Sequence, residues 1–95
     1  MSLQFEWDPK KAKANLTKHE VSFEEAITVF ADPLARIFDD DEHSGEERRE
    51  VIIGHTNEHD LILVSFTAVG ESVRIFSARK ATRKERRDYE ENVSS

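Results

Sequence analysis

Val73–Arg87 reads VRIFSARKATRKERR and carries seven of the 14 Lys and Arg residues of the chain. Its first half is a strand signal, because Val73-Arg74-Ile75-Phe76 is a β-branched and aromatic run that follows the turn-like Val69-Gly70-Glu71-Ser72. Its second half opens a helix. Thr82 and Glu85 have the spacing of a capping box, in which the Thr hydroxyl accepts the Glu85 amide and the Glu carboxylate reaches back to the Thr amide. The helix should begin at about Arg83, and Tyr89 and Val93, four apart, are almost its only large apolar residues. Such a polar helix belongs over an edge of a sheet, not at the centre of a core.

The same stretch concentrates charge. With one acid, Glu85, among seven bases it stands at +6, and since the chain totals −6 the remaining residues carry −12. Charge segregated in this way presents a cationic face to an anion, of which nucleic acid is the commonest large kind. A solvated basic helix without a partner is the plainer account of such a run. Arg79 and Lys80 fall where strand gives way to helix, beside helix amides whose partial positive charge also favours a phosphate.

Ninety-five residues make one domain with a single modest core. Without cysteine, neither a disulfide framework nor a thiolate zinc site is available. The longest apolar run, Leu61-Ile62-Leu63-Val64, is far short of the ~20 residues that span a bilayer. No signal peptide opens the chain, and a cytoplasmic protein is expected.

Outward from the basic stretch, the N-terminus alternates apolar and polar side chains over Leu3–Trp7, as a half-buried strand does. Asp8-Pro9 starts a thin basic helix that reaches about Lys18. Ser22 and Glu25 form a second capping box, followed by Phe23, Ala26, Ile27 and Phe30 at core spacing, and that helix must stop before Pro33. Leu34–Phe38 reads as a short strand, Asp39–Glu46 as a loop, and 47–54, 61–67 and 73–79 as three more strands joined by short turns. The expected fold is α+β, an antiparallel sheet with helices packed on it in the order β-α-α-β-β-β-β-α.

Phe5-Glu6-Trp7-Asp8-Pro9-Lys10-Lys11, Lys13, Asn15, Lys18-His19 and Val21–Ala26 together resemble the N-terminal signature of the BrnT toxins of bacterial type II toxin–antitoxin systems. Asp32-Pro33, Gly45-Glu46, Arg48, Gly54, Ser77–Thr82, Glu85-Arg86 and Tyr89-Glu90 continue the likeness over nearly the whole chain. The resemblance implies a RelE-like fold and a ribonuclease that arrests translation. It also implies a BrnA-type antitoxin that neutralises the toxin and carries the DNA-binding part. One position departs: Glu20 stands where the family usually has Gly, and if that corner is left-handed Glu adopts it at a cost of roughly 1 kcal/mol.

Hydrolysis of RNA without a metal needs a base for the 2′-hydroxyl, an acid for the 5′-oxygen and cations for the phosphorane. Arg79 is the first candidate for phosphate stabilisation, since its planar fork can hold two oxygens at once, and Arg74 is a second if it faces the solvated side of the sheet. Lys80, Arg83, Lys84 and Lys18 are candidates for binding the RNA backbone. His19 suits acid–base work by its ordinary pKa, although a His at a helix C-terminus also serves as a cap. Glu46 or Glu50 could act as the base, and ion pairs with Arg48 and Arg49 are the duller account of them.

His55 and His59 flank a hairpin, where their spacing does not align them for a metal, and Asp39-Asp40-Asp41 lacks the alternating ligands of a calcium loop. No metal or cofactor is expected. Two functions remain, a metal-independent endoribonuclease toxin and a non-catalytic module whose basic end docks RNA or an acidic protein. For the first, a small antitoxin should cover the basic junction, with two toxins and two antitoxins joined through the antitoxin's own dimerisation.

Overall fold

The computed structural model describes residues 3–40 and 48–94. Its elements are β1 (Gln4–Glu6), α1 (Pro9–His19), α2 (Phe23–Ala26) with a 3₁₀ continuation (Ile27–Ala31), β2 (Arg36–Asp39), β3 (Glu50–His55), β4 (Leu61–Val69), β5 (Ser72–Lys80) and α3 (Arg83–Ser94). The order of helices and strands is the expected one. The sheet is not wholly antiparallel, however. Its strands run β1-β5-β4-β3-β2, and β1 lies parallel to β5, with Phe5 opposite Val73. The correction has a simple cause: β1 and β5 are joined by the rest of the domain, and a connection that long imposes no antiparallel return.

Local chemistry sets the helix ends. The Asp8 carboxylate accepts the Lys10 amide at 2.9 Å, and Glu20 closes α1 at φ 60°, ψ 28°, its amide donating to the Leu16 carbonyl. The corner is therefore left-handed, the region that favours glycine. Ser22 accepts the Glu25 amide at 3.0 Å, but the reciprocal half of the box is not made, because the Glu25 carboxylate takes the Thr56 hydroxyl at 2.9 Å instead. After Ala26 the helix tightens. At about three residues per turn, Phe23, Ala26 and Val29 stack on one line and are buried, while Ile27 and Phe30 are half-buried. The Asp32 side chain then accepts the Leu34 amide at 2.9 Å, and the resulting turn delays β2 until Arg36.

The two faces of the sheet differ. On one, Val21, Phe23, Ala26 and Val29 pack on Ile52, Ile62, Val64, Phe66, Val73 and Ile75, with Trp7 edge-on to Phe23 at 5.7 Å. This is the main core. On the other, α3 lays Tyr89 and Val93 over Ile53, Leu61 and Leu63. It covers only part of that face, and the uncovered part holds Arg49 and Arg79 with Asp40 and Glu85.

Candidate active site

Strand register assembles the uncovered face in two rows. Phe38, Val51, Ser65 and Ser77 stand opposite one another across β2, β3, β4 and β5, and the next row is Arg36, Ile53, Leu63 and Arg79. Ile53 and Leu63 seat α3; the Ser65–Ser77 row does not. There a cleft of about 330 Å³ opens, bounded by Arg49, Arg79, Asp40 and Glu85 beside the two serines. An irregularity in the β4–β5 pairing next to Ser65 leaves Phe76 as an extra residue in β5. Arg49 stacks on its ring with the guanidinium carbon 4.1 Å from the centroid, and Lys11 of α1 lies 5.4 Å away.

Arg79 is held from one side. The capping box at the start of α3 forms in full, the Glu85 amide donating to the Thr82 hydroxyl at 3.2 Å and the Thr82 amide to the Glu85 carboxylate at 2.9 Å. Thus fixed, the carboxylate accepts Nη1 and Nη2 of Arg79 at 2.8 Å each. Arg79 Nη1 also donates to the Lys80 carbonyl at 3.3 Å. Of the five N–H groups of a guanidinium, this leaves Nε–H and the second Nη2–H, which lie on one edge of the plane. A phosphate can therefore bind Arg79 bidentately without displacing Glu85. The pairing also tunes both groups: the hydrogen bonds from Arg79, more than the burial that opposes them, hold the Glu85 carboxyl down at about 2, and the same bonds raise Arg79. Glu85 is an orienting anion and a poor base.

The other expected site residues are placed less centrally. Arg74 is on the solvated side of β5, but it pairs with Glu6 of β1 at 3.6 Å and does not line the cleft. Lys80, Arg83 and Lys84 are exposed along the end of β5 and the first turn of α3, and Lys18 is exposed on the last turn of α1. His19, half-buried at the end of α1, stands outside the cleft lining. Glu46 lies outside the described residues, as does most of the expected 39–46 loop. Glu50 is in β3 opposite Phe66 and is also outside the lining. Among the described residues no three His, Asp or Glu side chains converge as a metal site would require.

Arg49, Ser65, Ser77, Phe38 and Asp40 are cleft residues that sequence reasoning did not single out. Ser77 could have been found by stepping two residues back from Arg79 along a strand, which returns to the same face. The remaining four need the cross-strand register.

The profile of the family described as "Ribonuclease toxin, BrnT, of type II toxin-antitoxin system" matches residues 7–85. The chain belongs to the BrnT family. A crystal structure of the Brucella abortus ribonuclease toxin BrnT superposes with a TM-score of 0.66 at 25% identity, covering 86% of this chain and all of that one. A comparison with curated proteins returns no match. The family is described as one of ribonuclease toxins, and a type II system implies an antitoxin partner. No helix among the described residues is long and apolar enough to cross a membrane.

Proposed function

We propose that this BrnT-family chain is a metal-independent endoribonuclease that cuts single-stranded RNA in the cytoplasm, arrests translation, and is neutralised by a BrnA-type antitoxin lying over the Arg79 cleft. The observation that carries the reading is the guanidinium of Arg79, pinned by Glu85 and left with a two-donor edge in a cleft that also holds Arg49.

In the proposed reaction the 2′-oxygen attacks the adjacent phosphorus and the P–O5′ bond breaks, so the products are a 2′,3′-cyclic phosphate and a 5′-hydroxyl. The 2′-hydroxyl proton passes to a base and another proton reaches the departing O5′. Arg79 takes the charge that develops on the non-bridging oxygens, a role for which its fixed plane needs no reorganisation. Asp40 is the cleft carboxylate proposed as base, with Glu46 further along the same segment as the second candidate; His19 is the candidate acid that the geometry supports least. Arg74, Lys80, Arg83, Lys84 and Lys18 bind flanking phosphates. The RelE-like kinship of the fold and a complex of two toxins with two antitoxins belong to the same reading.

The test is cleavage of a single-stranded RNA by the purified chain in EDTA, beside Arg79→Ala. Cyclic phosphate ends from the parent protein and none from the variant support the proposal. Cleavage only with added divalent metal overturns the mechanism, and tight RNA binding without any cleavage establishes the non-catalytic module instead.

A further inference from the structure

A second cavity of about 370 Å³ adjoins the Arg79 cleft, and the two share Phe38, Leu63 and Glu85. Their chemistry differs. The first is bordered by two arginines, two serines and the carboxylates of Asp40 and Glu85, whereas the second is lined mainly by Ile37, Ile53, Tyr89 and the shared Phe38 and Leu63, with Arg36, Asp88 and Asn92 beside the shared Glu85. Phe38 separates them with 49% of its surface exposed, on β2 at the edge of the sheet.

We propose that this apolar cavity receives one unpaired nucleobase, stacked on the Phe38 ring, from the nucleotide whose phosphate Arg79 holds. The proposal rests on the ribonuclease reading and names its substrate class: a single strand able to turn a base out. Three arguments support it. A nucleotide joins an anionic phosphate to a flat, largely apolar ring, and here the cleft that holds the Arg79 guanidinium joins a mainly apolar one through a shared aromatic side chain. The volume is within the roughly 300–1,000 Å³ of small-molecule sites. The distance also suits: Phe38 and Ser77 are three strand spacings apart, about 14 Å between Cα atoms, and Phe38 and the neighbouring Arg79 can both lean into the gap. A duplex would keep its bases stacked in the helix and leave Phe38 without a partner, so the pair of cavities selects unpaired RNA.

The experiment uses the full chain and a series of short single-stranded RNAs, identical except for one abasic ribose moved along the sequence. Binding is read by fluorescence anisotropy on 2′-O-methyl versions, which lack the nucleophile, and cleavage on the unmodified ones. One abasic position should weaken binding about 10- to 100-fold. Phe38→Ala should weaken binding of the intact RNA by a similar factor and add little on that abasic RNA, with KM raised and kcat nearly kept. Phe38→Trp should bind as the parent does, and Phe38→Leu, which keeps the apolar bulk without the ring plane, should behave as Phe38→Ala. Indifference to every abasic position, or equal losses on intact and abasic RNA, overturns the proposal. So does a Phe38→Ala chain that binds RNA normally and fails only to bind an antitoxin. Failure of the parent to cleave any RNA would instead remove the ribonuclease reading, while the binding series still decides the role of Phe38.

Discussion

Asn15 completes the edge of β5 at Ala78: its side-chain oxygen accepts the Ala78 amide at 3.1 Å and its nitrogen donates to the Ala78 carbonyl at 2.8 Å. β1 pairs with β5 only as far as Arg74, so beyond it a side chain of α1 acts as the neighbouring strand. The same nitrogen donates to the Val21 carbonyl at 2.9 Å, tying the corner after α1 to the strand that carries Arg79. Asn15 is 7% exposed, so water cannot readily replace it. Asn15→Ala should cost about 3 kcal/mol, at roughly 1–3 kcal/mol for each buried group left unpaired, read as a lower urea midpoint at constant m. Asn15→Asp should be no better, because it sets a carboxylate against two carbonyl oxygens. A change below 0.5 kcal/mol in both would contradict the bracing role.

Arg79→Lys should lower RNA cleavage by at least about 100-fold, on the scale of losing an oxyanion donor, with little change in fold. Lysine keeps the charge but loses the planar fork that Glu85 holds. Near-parental kcat in the Lys variant would show that charge alone suffices.

The Glu85 carboxyl has its pKa depressed in the folded chain, to about 2 from an ordinary 4.5, chiefly by the bonds from Arg79. A depressed acid stabilises the fold above its unfolded pKa, and that contribution is lost as pH falls from about 5 through 2. Because the pair is partly exposed, roughly 1–2 kcal/mol is expected after allowing for solvent screening. Glu85→Gln should be less stable at pH 7 and should lose less stability between pH 5 and 2. Parallel acid titrations of the two proteins would argue against this pairing in solution.

Replacing Glu20 by Gly should stabilise the protein by up to about 1 kcal/mol, since Glu20 holds φ 60° at the end of α1. Thermal unfolding measures it, and a lower Tm would mean that the Glu20 side chain compensates for its backbone.

RNA affinity should fall with salt at a slope of about −0.7 for each phosphate contact. Arg49→Gln should make the slope shallower by about that amount if Arg49 reaches a phosphate at the mouth of the cleft. An unchanged slope would show that Arg49 reaches no phosphate.

Features resting on neighbouring residues were legible in the chain. Asp8-Pro9, Ser22 and the Thr82–Glu85 box each mark a helix start because a side chain meets amides two or three residues away. The strand–helix junction at Arg79 follows from them, whereas the left-handed corner at Glu20 was raised only by the resemblance, through the Gly usual at that position. What depends on distant partners was not legible. The direction of β1 is decided by β5, and the loss of the second half of the Ser22 box is decided by Thr56. The cleft was half legible for the same reason: Arg79 announces itself by charge, whereas Phe38, Arg49 and Ser65 reach it only through cross-strand register.

The parallel pairing of Gln4–Glu6 with Ser72–Arg74 also orders events during synthesis. β1 is made before every other element of the domain and β5 after all but α3, so β1 has no partner strand until β5 emerges. A chain interrupted before β5 is complete has neither a closed sheet nor Arg79 and its brace from α3. On the proposed reading, in which Arg79 takes the charge of the phosphorane, a copy that stops short of β5 would lack that group and would not cut RNA.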